Sequence, residues 1–484
     1  MTKSQRIVQV KIDQLTNEGL GSGELVTVSG EKSLVAVPFT MPGDEAWVSL
    51  EKKKKGVRQG KALEWLHLSE ERTQPRCKHF GACGGCRMQH VPYERQLSLK
   101  EQSVKRYLQP YLHETTLWQP IIPSHKPYGY RNKMELSFSS DKAGNRYLGL
   151  ILFGTRGHVF QMEECHLMNS WIVKAVEAVS AWWEASGLEA YHCFKNTGAL
   201  RTLTLRNGEH TGDRMIVLTV SGNPDFALNS IQLKSFVSAL REKIEISEEK
   251  LSIFLRIQQT VKGSPTQFYE MLLYGPDHIR EILQIEEGAG NVHALNFRIS
   301  PVAFFQPNSR GAETIYSKAI QMTPHVAGNI VYDLYCGTGT LGICMAKSAR
   351  QVIGIELCPE SVVDARENIK NNDMTNISIH EGDVGKLLPE LLKNEQLKPS
   401  AIVVDPPRSG LDSSAIKHLI QANARVITYI SCNPATQAAN LEHLVAAGYQ
   451  IRAVQPIDQF PHTKHVENIV SLERLRACPK SSIE

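Results

Sequence analysis

The sequence predicts an α/β protein whose last third is a doubly wound parallel sheet, preceded by a small β-barrel and a mixed α+β region. Three observations predict it. After Phe305 short apolar runs alternate regularly with helical periodicity, residues 7–50 alternate apolar and polar with period two, and the stretch between mixes both patterns. The 484 residues, 42% hydrophobic and 21% charged, suit about three domains and exclude a disordered or collagen-like chain. No apolar run approaches the roughly 18 residues of a membrane helix. The opening MTKSQRIVQVKIDQL has no secretory pattern. A soluble, cytoplasmic protein is expected. Ten cysteines are too sparse for a disulfide scaffold and read better as ligands, nucleophiles or core residues.

Taken in order, residues 1–70 form the expected barrel. Its strands are IVQVKI, ELVTVS, SLVAVPF and AWVSLE, separated by turn clusters such as NEGLGSGE and MPGDE. The run Lys52–Lys55 is expected at a barrel edge or in a loop, where lysines protect an edge or meet phosphate. Residues 71–304 form the α+β region. It opens with a Cys/Gly/His-rich stretch at 77–90 and a helix over 92–112, with Leu97, Val104 and Leu108 on one face and basic residues on the other. Strands MELSFSS, YLGLILF, LRTLTLR, RMIVLTV and LSIFLRIQQ follow, with helices near 170–186 and 229–242. Residues 305–484 carry strands NIVYDLY, QVIGIE, NISIHEGD, AIVVDPP and RVITYIS, with helices between them. Charge is uneven along this plan. Residues 71–135 hold 11 Lys or Arg against 5 Asp or Glu, while 136–484 hold 33 against 36. A local basic surplus suggests a polyanionic partner such as nucleic acid, or simply a solvated face.

The first strand of the C-terminal sheet runs into Asp333-Leu-Tyr335-Cys-Gly337-Thr-Gly339-Thr-Leu-Gly342, with Glu356 ending the next strand. This matches G-x-G-x-x-G in a strand–loop–helix setting, where glycines admit a ligand to the backbone and the acid meets ribose hydroxyls. Asp333 before the glycines would repel a pyrophosphate and attract a cationic methionine moiety, so the Rossmann-like loop suits S-adenosylmethionine better than a dinucleotide. Asp383 ends the third strand and Asp405, in DPPRSG, the fourth. Acids at four successive strand ends face the ligand-binding edge of an open α/β sheet, although helix capping alone accounts for one or two of them.

The fifth strand ends at Ser431-Cys432-Asn433-Pro434, placing a thiol on that edge. A free cysteine is commonly a small buried hydrophobe, but this position favours a reactive thiolate. Near the terminus, FPHTKHVENIVSLERL carries His462, His465 and Glu467 before a closing strand. A carboxylate there suits a general base or a solvated surface group. Cys77, Cys83 and Cys86 have C-x5-C-x2-C spacing with glycines between, and Cys165 follows in QMEECHLM. Four thiolates suit zinc or an iron–sulfur cluster. His79, His90 and His166 read as packing or surface groups, and Cys193, Cys344, Cys358 and Cys478 as structural.

DLYCGTGTLG, DPPRSG, YISCNPAT and HTKHVENIV, in this order, resemble the RNA uridine-C5 methyltransferase family, and the resemblance runs the length of the chain. It implies a Rossmann-like S-adenosylmethionine-dependent methyltransferase domain at 305–484, and a TRAM-like, RNA-binding barrel of the kind carried by the ribosomal RNA branch. It also implies a 4Fe–4S cluster on Cys77, Cys83, Cys86 and Cys165. Cys432 matches the family's nucleophile and Glu467 its proton-abstracting base. Gln306 in FFQPN, Tyr335, Glu356, Asp383 and Asp405 match its S-adenosylmethionine pocket. The implied partner is structured RNA, ribosomal in the first instance with tRNA as the alternative, and the implied enzyme is a monomer. A non-catalytic RNA-binding assembly factor is the competing class, disfavoured by the intact Cys432 and Glu467.

Overall fold

The computed structural model describes residues 6–475 apart from 17, 27–31, 55, 156, 261, 262, 264, 289 and 325. Lys55 of the lysine run and Cys478 lie outside the described residues. The alternation after Phe305 builds an eight-stranded sheet. Ile377–Glu381, Gln351–Glu356, Ile330–Leu334, Ala401–Val404 and Val426–Ser431 lie side by side in that order and run parallel. Ile330–Leu334 and Val426–Ser431 are buried along their whole length, as strands with helices on both faces require. Helices Thr340–Ala346, Pro359–Asn371, Val384–Leu391, Ser413–Gln421 and Pro434–Ala446 connect them. Val331, Val352 and Val403 pack into one apolar layer, and Tyr332, Ile353, Ile402 and Tyr429 into the other.

The all-parallel reading needs correction at one edge. Glu467–Arg474 runs antiparallel between Val426–Ser431 and Tyr449–Ile457, and Leu117–Trp118 extends the sheet beyond Tyr449–Ile457. Residues 458–466 contain no crossover helix, so the chain returns as a hairpin and the last two strands must be antiparallel. The helix Tyr93–Leu108 packs Val104 and Leu108 into this C-terminal core. Its basic residues do not all face solvent: Lys100 is 3% exposed and pairs with Asp458 at 2.6 Å.

The central sheet has the order Val159–Gln161, Arg146–Ile151, Lys133–Ser140, Leu200–Asn207, Arg214–Ser221, Leu251–Gln259 and Gln267–Tyr274. Helices Trp171–Ser186 and Ser230–Ile244 share its apolar core. Gln267–Tyr274 and the hairpin of Ile279–Glu286 with Val292–Ile299 were not among the expected strands. The hairpin buries Leu283, Ile285, Leu295 and Phe297 against the core of the C-terminal sheet.

At the N-terminus, Ile7–Lys11, Glu45–Lys54, Val57–His67, Lys32–Val37, Gly21–Val26 and Gln14–Leu15 are neighbours in that order. The first and last are joined by Ile12 and Asp13 alone, so the six-stranded sheet curls back on itself. Val10, Ile12, Val35, Val37 and Val48 fill it. Lys52, Lys53 and Lys54 extend a paired strand, with Lys53 opposite Arg58, rather than lying in a loop or on a free edge. Among the described residues, no helix is long and apolar enough to cross a membrane.

Candidate active site at the carboxyl edge of the mixed sheet

The glycine loop leaves Ile330–Leu334 with Tyr335, Gly337 and Gly339 at φ of 64°, 54° and 74°. Tyr335 is thus a non-glycine residue in the left-handed region, a strained placement found preferentially at functional sites. The amides of Tyr335 and Cys336 both donate to the Ile355 carbonyl, at 3.0 and 3.1 Å. Asp333 accepts from the Gly342 amide at 2.7 Å, and a Cβ on Gly342 would stand 2.9 Å from that same carboxylate oxygen. Only glycine admits the helix start so close. Glu356 accepts from the amides of Gly337, at 2.9 Å, and Cys358, at 2.7 Å, so it closes the loop from the neighbouring strand. Asp383 occupies the N-cap position of Val384–Leu391 without a side-chain cap bond, so capping does not explain it. Its charge, with that of Asp412, acts on the Tyr335 phenol, which burial chiefly pushes up.

Gln306 lies in the segment before helix Ser309–Gln321 and is buried. Its carbonyl accepts from Asn132 Nδ2 at 2.9 Å, and its side chain meets Gln459 at 3.5 Å. It also hydrogen-bonds the buried Tyr316, which feels the charge of Asp405. Burial pushes Asp405 up to about 7. It also lifts Asp333 to about 7, with Asp405 and Glu356 adding and the Gly342 amide opposing. The buried Asp333, with the half-buried Asp405 and Glu356 near it, favours a cationic ligand.

Cys432 and Glu467 approach each other because of strand register. Ser431 pairs with Asn468 across the antiparallel ladder, so the next residue on one strand, Cys432, leaves the sheet beside the first residue on the other, Glu467. Asn433 caps the following helix through Ala435 N at 3.2 Å, and its Nδ2 donates to the Arg408 carbonyl at 3.1 Å. Burial pushes the Cys432 thiol up to about 11, with Glu467 and Asp405 adding, while the charge and hydrogen bond of Arg408 oppose. Burial likewise pushes Glu467 to about 8, with Asp405 adding and Arg408 opposing. Thiol, two carboxyls and guanidinium form one electrostatic group. Arg408, Tyr316 and Gln459 carry no role in the sequence reading. Arg408 was visible in DPPRSG, but only packing reveals that it reaches Cys432.

The four cysteines 77, 83, 86 and 165 line one cavity of 850 Å³, between the barrel, the cysteine loop and the central sheet, with Arg87, Arg131 and Lys54 also on its wall. Burial pushes Cys86 up to about 12 and Cys165 to about 11, each further raised by the neighbouring thiols. Gly85 N donates to Cys83 Sγ at 3.3 Å. Among the described residues, no group of three or more His, Cys, Asp or Glu is placed to hold a metal ion. His79 accepts from Glu163 N and His90 meets Thr40 O. Cys344 is a core residue, Cys193 is exposed, and Cys358 donates to Glu360 at 3.2 Å.

Residues 239–475 match the family model described as tRNA (Uracil-5-)-methyltransferase. The chain is 56% identical over 438 residues to an uncharacterized RNA methyltransferase of Protochlamydia amoebophila, covering 90% of this chain and 99% of the relative. It is 36% identical over 472 residues to another of Caldanaerobacter subterraneus, covering 97% and 99%. Among solved structures it resembles the Pyrococcus abyssi tRNA (uracil-54, C5)-methyltransferase in complex with S-adenosyl-L-homocysteine, with TM-score 0.69 and 25% identity over 96% of this chain and 100% of that one. On these likenesses the chain belongs to the S-adenosylmethionine-dependent RNA (uracil-5-)-methyltransferase family.

Proposed function

We propose that this chain methylates carbon 5 of a uridine in ribosomal RNA, through a covalent bond between Cys432 and the base. The observation that carries the reading is the exit of Cys432 and Glu467 from adjacent strands into one group with Asp405 and Arg408. Carbon 5 of uracil is a poor nucleophile. Addition of the Cys432 thiolate at carbon 6 creates an enolate and makes carbon 5 nucleophilic. The Arg408 guanidinium favours the thiolate that burial disfavours. When bound, S-adenosylmethionine supplies an electrophilic methyl group. Asp333, Glu356, Asp383, Asp405, Tyr335 and Gln306 would hold it, which fits the cluster of acids around the glycine loop. After methyl transfer Glu467 takes the proton from carbon 5. The electron pair of that C–H bond forms the C5–C6 double bond, and the C6–S bond breaks to return the Cys432 thiolate. Asp405 would also hold the pyrimidine edge, a role second to its part in the cofactor pocket. The target base must leave its stack to reach this depth.

Cys77, Cys83, Cys86 and Cys165 would hold a 4Fe–4S cluster. The four thiols line one cavity, and four cysteine ligands are the set such a cluster takes. The barrel, read as a TRAM module, and the basic residues at 52–54 and 71–135 would meet RNA phosphates. A tRNA target is the second reading, favoured by the likeness to the Pyrococcus abyssi enzyme over 96% of this chain. Mapping 5-methyluridine in ribosomal and transfer RNA from a strain lacking the gene decides between them. Loss from 23S-type or 16S-type ribosomal RNA supports the first reading, loss from tRNA alone the second, and no loss overturns both.

A further inference from the structure

The segment 458–465 leads into Glu467, and beside its local turn bonds through Thr463 it is held by groups remote in sequence. His462 sits at φ 63°, a left-handed conformation that a histidine keeps only when its surroundings impose it. Its carbonyl accepts from two consecutive amides, Arg87 at 2.9 Å and Met88 at 3.1 Å, the residues immediately after Cys86. Its ring lies on Tyr128 with centroids 4.2 Å apart. Lys100 donates to the Phe460 carbonyl at 2.9 Å and Tyr130 to the Pro461 carbonyl at 3.0 Å. The Phe460 ring packs with Tyr130 and Leu167 in a cluster that Cys86 and Cys165 join.

One side chain ties the two segments together. Gln96 is fully buried in helix Tyr93–Leu108. Its Nε2 donates to the carbonyls of Met88, at 2.9 Å, and Val91, at 2.8 Å, on the trailing end of the cysteine loop. The same nitrogen lies 3.2 Å from His462 Nδ1, and its Oε1 accepts from the His462 amide at 2.9 Å. An amide can do this because it offers a donor and an acceptor at one end. We infer that Gln96 is a positioning residue for the elimination step: it locks the end of the cysteine loop to His462 and thereby sets where Glu467 stands. The inference rests on Glu467 being the base. It would connect the cysteine loop, remote in sequence, to the place where Glu467 stands.

A residue that only supports the fold would lower all steps together. One that aims the base would slow elimination and leave addition and methyl transfer, so a covalent RNA–protein adduct would accumulate. The test compares full-length wild type, Gln96→Met, Glu467→Gln and Val104→Ala with substrate RNA and S-adenosylmethionine on denaturing gels. Val104→Ala loosens the same helix about two turns further on, where it packs into the C-terminal core. The expected result is at least an about tenfold rise in adduct for Gln96→Met, given the sensitivity of catalysis to small misplacements, with S-adenosylmethionine affinity unchanged and no rise for Val104→Ala. If Gln96→Met does not fold, Gln96→Glu, which keeps an acceptor for His462 N–H, serves in its place with the same expectation. Adduct with Glu467→Gln but not with either Gln96 variant overturns the positioning role. An equal rise with Val104→Ala overturns it too. No adduct with Glu467→Gln overturns instead the reading of Glu467 on which the inference stands.

Discussion

Replacing Glu467 with Gln is expected to separate methyl transfer from product release. Glu467 is 4% exposed, and its carboxyl is pushed to about 8. Such a base is about one-tenth ionised at pH 7 and half ionised at pH 8, so wild-type elimination should speed up about tenfold from pH 6 to pH 7 and level off above pH 8. Glutamine keeps the size of the side chain but cannot accept the carbon 5 proton, and losing a positioned base costs about 10²- to 10⁴-fold. Addition by Cys432 and the methyl transfer do not use this carboxylate, so the methylated adduct should form and persist. Single-turnover mixing of RNA with methyl-labelled S-adenosylmethionine, resolved on denaturing gels, reads both events. Release of 5-methyluridine by Glu467→Gln at the wild-type rate would refute the assignment. The same group carries a stability consequence. A carboxyl raised on folding contributes stability fully below its ordinary value near 4.5 and loses it as pH rises to about 8. Asp333 and Asp405, each near 7, act in the same direction. The ligand-free protein should therefore lose stability above pH 5, by on the order of 1 kcal/mol per pH unit for each group, up to about pH 7 for the two aspartates and about pH 8 for Glu467, and Glu467→Gln should make that slope shallower in thermal melts.

Cys432→Ala should abolish turnover and adduct while leaving S-adenosylmethionine affinity within about twofold, measured by calorimetry, because the thiol attacks the base rather than holding the cofactor. Gly342→Ala drives a Cβ to 2.9 Å from Asp333 and should weaken S-adenosylmethionine binding by about 1–3 kcal/mol through the lost Asp333–Gly342 bond; unchanged affinity would show that the loop does not shape the pocket. Anaerobically purified protein should be brown with about four irons, and Cys83→Ser should remove the colour; colourless wild type with one zinc would reverse the cluster reading. Replacing Lys52, Lys53 and Lys54 with Ala should lower the salt slope of RNA binding by about 2, roughly 0.7 for each single-strand phosphate that a lysine no longer neutralises, and an unchanged slope would make these lysines a solvated face.

What is local in this protein is legible in its sequence. Apolar runs with helical spacing between them placed the strands and helices after Phe305, because each element must bury one face and its pattern records which. Period-two alternation with turn residues marked strands of the N-terminal six-stranded sheet. Residue type at a strand end marked Asp333, Glu356, Asp405 and Cys432, since chemistry-bearing groups stand out against an apolar run. Strand direction is not recorded in this way. Glu467–Arg474 reads the same parallel or antiparallel, and only the absence of a crossover helix and the ladder to Val426–Ser431 decide it. That register is what sets Cys432 beside Glu467. The strand Gln267–Tyr274, exposed along most of its length, shows no alternation for a pattern to reveal. Lys100 reads as a solvent-facing base on an amphipathic helix, yet Asp458 meets it from 358 residues away, and Arg408 acquires its place from the thiol it touches. These features came from the three-dimensional packing, because hydrogen bonds and desolvation act between neighbours in space, and neither strand register nor the folding of Tyr93–Leu108 onto the C-terminal core is written in any short window of residues.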